Sequence, residues 1–261
     1  NADAGEHVSS SVDSKTGVPI LSLYDGKLGR PSEESMRKFD LLIVDIQDVG
    51  LRFYTYYASM VRLMDACAEY NRKMLILDRP NPNGHYVDGP ILDMKYKSSV
   101  GWLPIPIVHG MTLGELALMV NGERWLPASR ICDITVIKCK NYTHQTMYEL
   151  PIPPSPNLPN MKAVYLYPST CYFEATPVSL GRGTQLPFQI YGHPNMLGYD
   201  YTFTPQSIPG AKNPPQLNRI CHGVNLSELS NEEIWKKGVD LSYLIDAYRN
   251  LNMDDYFFRP F

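Results

Sequence analysis

The sequence predicts an α/β fold, in which a Rossmann-like, mostly parallel sheet is followed by a second, smaller β-rich (α+β) domain. In the first half of the chain, apolar runs typical of buried strands alternate with segments of helical periodicity, as in a parallel sheet with crossover helices. After about residue 140 the pattern changes to proline-rich sequence and short β-type runs. We therefore predict a Rossmann-like domain over residues 1–145 and a smaller domain over residues 146–261.

The elements of the first domain follow from apolar periodicity and helix-start signals. The run LLIV at 41–44 has no polar interruption, which is typical of a strand covered on both faces. After Gly50, apolar residues recur at three- and four-residue spacing from Phe53, which predicts an amphipathic helix. Thr112 and Glu115 have the spacing of a capping box and predict a further helix. The other predicted elements are strands at 18–24, 73–78 and 133–138 and a short helix at 31–39.

The second domain is predicted from short runs and a second capping box. Ser230 and Glu233 predict the start of a helix that Gly238 closes, and a last amphipathic helix covers about residues 241–251. The predicted β-type runs cover residues 170–176, 188–191, 201–204 and 222–226.

Composition argues against several classes of function. The net charge of −3 gives no electrostatic case for binding nucleic acid. No apolar run reaches the roughly 18–20 residues of a membrane-spanning helix. The first residues lack the basic and apolar regions of a signal peptide, so we expect none in this chain. The chain has neither a GxGxxG motif nor a CxxC pair, so we expect no cofactor and no metal.

Acidic and basic residues cluster near the predicted strand ends, where ligands bind in open α/β sheets. Asp45 and Asp48 follow the strand at 41–44. They form either a carboxylate pair for acid–base or metal chemistry, or a structural pair in which one residue caps the helix or holds the loop. Arg52 and Arg182 either clamp a substrate carboxylate or form ion pairs.

Two further titratable residues are candidates for the chemistry. His109 precedes a predicted helix and either contacts the substrate or is a hydrogen-bonded structural histidine. Glu174 lies in the largely apolar run CYFEAT. A partly buried glutamate there would have a raised pKa, as a general acid needs, and the alternative is a salt bridge to Arg182.

Several long motifs, in the same order over most of the chain, closely resemble the exo-β-N-acetylmuramidases of the NamZ type. The motifs are DIQDVGLRFYTYYASM, LDRPNPNG, VDGPILD, GWLPIPIVHGMTLGELA, PPSPNLP and YPSTCYFEATPVSLGRGT. The resemblance implies a Rossmann-like domain without a dinucleotide role, a smaller β-rich domain and a cleft between them. It also implies release of terminal, non-reducing N-acetylmuramic acid from peptidoglycan fragments. Family members act outside the cytoplasm in cell-wall turnover, so a periplasmic or secreted protein is expected.

For such a hydrolase, one carboxylic acid protonates the leaving oxygen, and a second group or the sugar's own 2-acetamido group is the base or nucleophile. The candidate catalytic residues are Asp48, Glu174, Asp45 and His109. Arg182, with Arg52 second, is the candidate for holding the lactyl carboxylate. The candidate hydroxyl and amide contacts are Tyr54, Asn83, Asn157 and Thr184.

Members of this family extend upstream, with further βα units and a glutamate in a Pro-Glu-His-Gly loop that is a leading candidate for catalysis, and they continue past a C-terminal segment like FFRPF. We therefore expect a fragment, in which a sheet edge or face is left uncovered. Two other functions stay open: a non-catalytic muropeptide-binding protein, and a metal-dependent hydrolase using Asp45, Asp48 and His109. The sequence does not set the oligomeric state.

Overall fold

The computed structural model describes residues 9–22 and 29–259, and within them the chain forms two compact units. The N-terminal unit reaches to Tyr148, and the C-terminal unit begins at Glu149. The N-terminal unit contains a parallel sheet with helices, and the C-terminal unit contains a smaller antiparallel sheet. The predicted α/β fold class is therefore confirmed.

The N-terminal unit is built on a parallel sheet of order β3-β4-β5, preceded by a short antiparallel pair, β1-β2. Short 3₁₀ helices cover Met94–Tyr96 and Pro127–Ser129. Its other elements are β1 Ser11–Val12, β2 Pro19–Ile20, α1 Glu33–Met36, β3 Leu41–Val44, α2 Tyr56–Glu69, β4 Lys73–Leu77, α3 Leu113–Gly122 and β5 Ile134–Ile137.

Most predicted elements of this unit are present, with shifted ends. The predicted strand at 18–24 is present only as β2, and its last two residues lie outside the described part of the chain. The helix expected from Phe53 begins at Tyr56. It starts late because Gly50 has a φ of +78° and Leu51 forms a β-bridge with Val108.

Helices α2 and α3 both pack against one face of the parallel sheet. The core includes the inward-facing Val44, Met74 and Ile76 together with apolar residues of both helices. On the opposite face, Leu41 is 46% exposed and Ile43 is 55% exposed. The prediction that the run at 41–44 is covered on both faces is therefore wrong for the described residues.

The loop after β4 fixes the start of α3. The Thr112 hydroxyl donates to Asp78 Oδ2 at 2.6 Å, and the Gly114 N–H donates to Asp78 Oδ1 at 2.9 Å. Thr112 and Glu115 also form the predicted capping box. The side chains of Asp78, Thr112 and Glu115 thus all bond within the first turn, and Asp78 anchors that turn to the end of β4.

The C-terminal unit combines an antiparallel sheet of order β6-β8-β7 with three helices among its described residues. Short 3₁₀ helices cover Cys171–Ala175 and Asp254–Tyr256. The elements are α4 Met161–Thr170, β6 Ile190–His193, β7 Tyr201–Phe203, β8 Cys221–Asn225, α5 Asn231–Lys237 and α6 Ser242–Leu251. The predicted capping box of α5 and its closure at Gly238 are confirmed.

The prediction of a β-type run at 170–176 is wrong. Thr170 ends α4, and the next five residues form a 3₁₀ helix. Pro168 lies inside α4, and the helix is buried nearly all round, so its sequence lacks both uninterrupted helix formers and an amphipathic stripe. None of the helices in the described ranges has the length and apolar character needed to cross a membrane.

Gly114 and Gly122, at the two ends of α3, offer a matched test of how closely this helix approaches the sheet. A Cβ on Gly114 would lie 2.5 Å from Val136 Cγ1 and 2.8 Å from Asp78 Cγ, whereas a Cβ on Gly122 would meet nothing within 4 Å. We expect Gly114→Ala to lower the free energy of unfolding by about 1–3 kcal/mol, because neither neighbour can move freely.

Gly122→Ala is the control and should raise that free energy by up to about 1 kcal/mol, because alanine is the better helix former. Urea titration followed by tryptophan fluorescence measures both variants. Equal effects of the two substitutions would contradict this description of the helix–sheet contact.

Candidate active site

Three loops of the N-terminal unit meet in a buried group of residues that we call the polar cluster. Its members are Asp48, Gly50, Asn81, Asn83 and His109. The Gly50 N–H donates to Asp48 Oδ1 at 2.7 Å, and the Gly50 carbonyl accepts from the His109 N–H at 3.2 Å. Asn81 Nδ2 donates to the Met111 carbonyl at 2.9 Å. The loops after β3 and β4 and the loop before α3 are therefore tied together.

Gly50 is required at the centre of the polar cluster by its conformation and its surroundings. Its φ of +78° lies in the left-handed region that disfavours residues with a Cβ. A Cβ there would also lie 2.3 Å from the Asn81 side-chain amide. Because the turn has no side chain, the Asn81 amide can lie directly against it.

Burial perturbs Asp48 strongly. The residue is 7% exposed, and burial raises the pKa of its carboxyl to about 7, although the nearby N–H groups of Gly50, Val49 and Tyr57 oppose the shift. Oδ1 accepts the Gly50 N–H, whereas Oδ2 is buried without a hydrogen-bond partner in the described part of the chain. A neutral carboxylic acid would therefore carry its proton on Oδ2.

His109 is perturbed in the opposite sense. It is 4% exposed, and burial lowers its pKa to about 4, so the ring is neutral near pH 7. Nδ1 accepts the Met111 N–H at 3.2 Å, which places the proton of the neutral ring on Nε2. Nε2 is buried and has no hydrogen-bond partner among the described residues.

The polar cluster therefore contains hydrogen-bonding capacity that the protein does not use. Asn83 is fully buried, and its Nδ2 donates to the Val49 carbonyl at 2.9 Å. Its Oδ1 joins Asp48 Oδ2 and His109 Nε2 as a buried polar atom without a partner in the described ranges. Buried polar atoms are rarely left unpaired, so these three atoms are the candidate hydrogen-bonding groups of the site.

Two tyrosines lie beside the polar cluster, and burial raises the pKa of both hydroxyls. Tyr54 is 8% exposed, and its ring lies 4.6 Å from that of Tyr56. Tyr57 is fully buried, has its pKa raised to about 12, and accepts the Trp102 N–H at 2.9 Å. Tyr57 was not predicted as a site residue, because its spacing matched the apolar face of the predicted helix.

The structure separates the two aspartates that the sequence placed together. Asp45 lies at the surface and binds Arg79 Nε at 2.6 Å, and that bond holds the pKa of the Asp45 carboxyl below its usual range.

Arg52 donates from one nitrogen to the Pro90 and Ile105 carbonyls, each at 2.7 Å. Among the described residues, no group of three or more histidine, cysteine, aspartate or glutamate residues is placed to hold a metal ion.

The remaining candidates lie in the C-terminal unit. Arg182 forms an ion pair with Glu174, which is the alternative that the sequence left open for both residues. Asn157 Nδ2 donates to the Gly210 carbonyl at 3.1 Å, and the Thr184 hydroxyl donates to the Gly181 carbonyl at 2.7 Å. Each of these side chains is thus bound to a partner in the C-terminal unit.

Comparison with known proteins shows which family the chain belongs to. Residues 1–162 match the model described as the N-terminal part of exo-β-N-acetylmuramidase NamZ, and residues 165–260 match the model of its C-terminal part. The chain belongs to the NamZ family. The predicted resemblance is therefore confirmed.

Relatives of this NamZ-family chain include a curated protein and two solved structures. The peptidoglycan β-N-acetylmuramidase NamZ of Bacillus subtilis strain 168 is 39% identical over 274 residues. The alignment covers 99% of this chain and 65% of the Bacillus protein, so the chain spans just under two thirds of that relative's length.

Both solved structures are DUF1343 family proteins from Bacteroides fragilis NCTC 9343. One is 84% identical with a TM-score of 0.91, and the match covers 95% of this chain and 69% of the other. The second is 30% identical with a TM-score of 0.72, covering 92% and 68% of the two chains.

The opposite pKa shifts of Asp48 and His109 predict how stability depends on pH. Asp48 keeps its proton in the folded chain up to a pKa of about 7 but loses it near pH 4 when unfolded, so it destabilises the fold as the pH rises through that window. His109 has a folded pKa of about 4 and an unfolded value near 6.5, so it destabilises the fold as the pH falls through that window.

We therefore expect Asp48→Asn to raise the free energy of unfolding by about 2–4 kcal/mol at pH 8 and by much less at pH 4.5. Asp40→Asn is the control, because the Asp40 side chain is fully exposed and the change in charge is the same. Urea titrations at both pH values measure the difference. A lower stability of Asp48→Asn than of the native chain at pH 8 would show that burial does not raise the pKa of Asp48.

Proposed function

We propose that this protein is a glycoside hydrolase that releases terminal, non-reducing N-acetylmuramic acid from peptidoglycan fragments. The proposal is supported by the NamZ family match and by the 39% identical Bacillus relative, whose name states β-N-acetylmuramidase activity on peptidoglycan. The observation that carries it is Asp48, a buried carboxyl group whose pKa is raised to about 7 within the polar cluster.

Asp48 is the general acid in this proposal. Glycoside hydrolysis needs a carboxylic acid that still carries its proton near neutral pH and can give it to the leaving oxygen. The Gly50 N–H occupies Oδ1, which leaves Oδ2 to hold the transferable proton. Because Asp48 is only 7% exposed, binding of the sugar has to uncover Oδ2 before the proton can move.

The other members of the polar cluster bind and orient the sugar. His109 offers a neutral Nε2–H donor, and Asn83 offers the acceptor Oδ1. Amide and hydroxyl groups of an N-acetylated sugar match this pair of donor and acceptor. The nucleophile in this proposal is either a second protein group or the 2-acetamido group of the sugar.

The substrate also determines where the protein would work. Peptidoglycan lies outside the cytoplasmic membrane, so we propose a periplasmic or secreted location and a role in cell-wall turnover. The partner is then a small saccharide rather than a nucleic acid.

Activity on two leaving groups tests the role of Asp48. A general acid matters most when the leaving group is a poor one, and its removal typically costs about 10²–10⁴-fold in rate. We expect Asp48→Asn to lose about that factor on a muramic acid disaccharide and much less on 4-nitrophenyl β-N-acetylmuraminide, because nitrophenolate leaves without a proton. The Asp40→Asn variant should match the native chain on both substrates.

The assay is run on this chain and on a version extended upstream, with the nitrophenyl glucosaminide as the substrate control. Equal losses on both leaving groups would contradict the general-acid role. Binding of a muropeptide without turnover in either version would instead support a non-catalytic binding protein.

A further inference from the structure

A cavity of the N-terminal unit, separate from the polar cluster, has a lining that suits an organic anion. It has a volume of about 830 Å³ and lies along α2, between the segment 94–104 and the residues that follow α3. Trp102 and Trp125 form part of its wall, together with Leu103 and Pro104. The volume is that of a typical small-molecule site.

Trp102 is contacted by two cations at this cavity. The guanidinium carbon of Arg62 lies 4.5 Å from the centre of the Trp102 ring, and the ammonium of Lys97 lies 4.2 Å from it. Both distances are within the range of a cation–π interaction. Because a guanidinium stacks through its flat face, its N–H groups remain at the edge, where they can donate to a carboxylate.

Neither cation has an acidic partner in the described part of the chain. Among the described residues, Arg62 and Lys97 form no ion pair, and Arg62 Nε is buried without a hydrogen-bond partner. A buried guanidinium N–H is costly to leave unpaired, because it has lost its water without gaining an acceptor. The site thus offers a donor and two positive charges that no acidic group of the described residues neutralises.

The acidic residues of the same cavity are already neutralised by other cations. Asp65 is 4% exposed and binds Arg30 at 2.8 Å and Arg130 at 2.7 Å. Glu69 also pairs with Arg30. These two acids and two arginines balance one another, so the excess positive charge stays on Arg62 and Lys97.

We propose that this cavity binds a carboxylate attached to a partly apolar body, such as the C-terminus of a short peptide or a carboxylated sugar. The carboxylate accepts from the edge of the Arg62 guanidinium and lies beside the Lys97 ammonium, while the apolar part packs on Trp125, Leu103 and Pro104. Charge complementarity selects the anion, and the aromatic wall selects a ligand with an apolar group. The assignment depends on these contacts and is independent of the function proposed above.

Tryptophan fluorescence tests this assignment, because two of the chain's three tryptophans line the cavity. The peptide probe is N-acetyl-alanyl-leucine, with its C-terminal amide as the uncharged control. The sugar probe is N-acetylmuramic acid, with N-acetylglucosamine as the control that lacks the carboxylate. We expect at least one carboxylate to bind about tenfold more tightly than its control, and the probe that does so identifies the source.

Arg62→Gln and Lys97→Gln should each lower the affinity for the preferred probe about tenfold. Lys95→Gln is the matched control, because Lys95 binds Asp93 at 2.8 Å and does not line the cavity. Lys97 is exposed, so its variant remains informative if Arg62→Gln fails to fold. Equal binding of each carboxylate and its control, or unchanged affinity in both variants, would overturn the proposal.

Discussion

The turn at Gly50 is the constraint on which the candidate site depends. Its N–H fixes one oxygen of Asp48, its carbonyl holds the backbone of His109, and its missing side chain gives room to the Asn81 amide. Three loops from different parts of the N-terminal unit therefore converge on one residue. The parallel sheet brings the first two loops to the same edge, and the capped start of α3 anchors the third.

Convergence of these loops buries ionisable groups and leaves their hydrogen-bonding capacity unused. Loss of water around the charged form raises the pKa of Asp48 and lowers the pKa of His109. Such an arrangement weakens the fold at some pH values, and a sequence selected only for stability would replace it with apolar residues. Local conflict of this kind is characteristic of functional sites, where stability is given up for chemistry.

Much of the fold could be predicted from the sequence, because apolar runs, capping boxes and glycine stops are local signals. Helix α4 could not, since Pro168 and its all-round burial remove those signals. In the site, position after a strand pointed to both Asp45 and Asp48, but only three-dimensional burial separates the surface ion pair from the buried acid. Arg62 was missed because a partly exposed arginine on an amphipathic helix looks like an ordinary surface residue.

Asp48 holds its proton at a pH where an ordinary aspartate has lost it, because burial raises its pKa. Carbon-13 NMR of the aspartate carboxyl groups, titrated from about pH 3 to pH 9 and assigned with Asp48→Asn, measures this property directly. We expect a midpoint near 7 for the Asp48 signal. A midpoint near 4, the ordinary value of about 3.9 for this side chain, would contradict it.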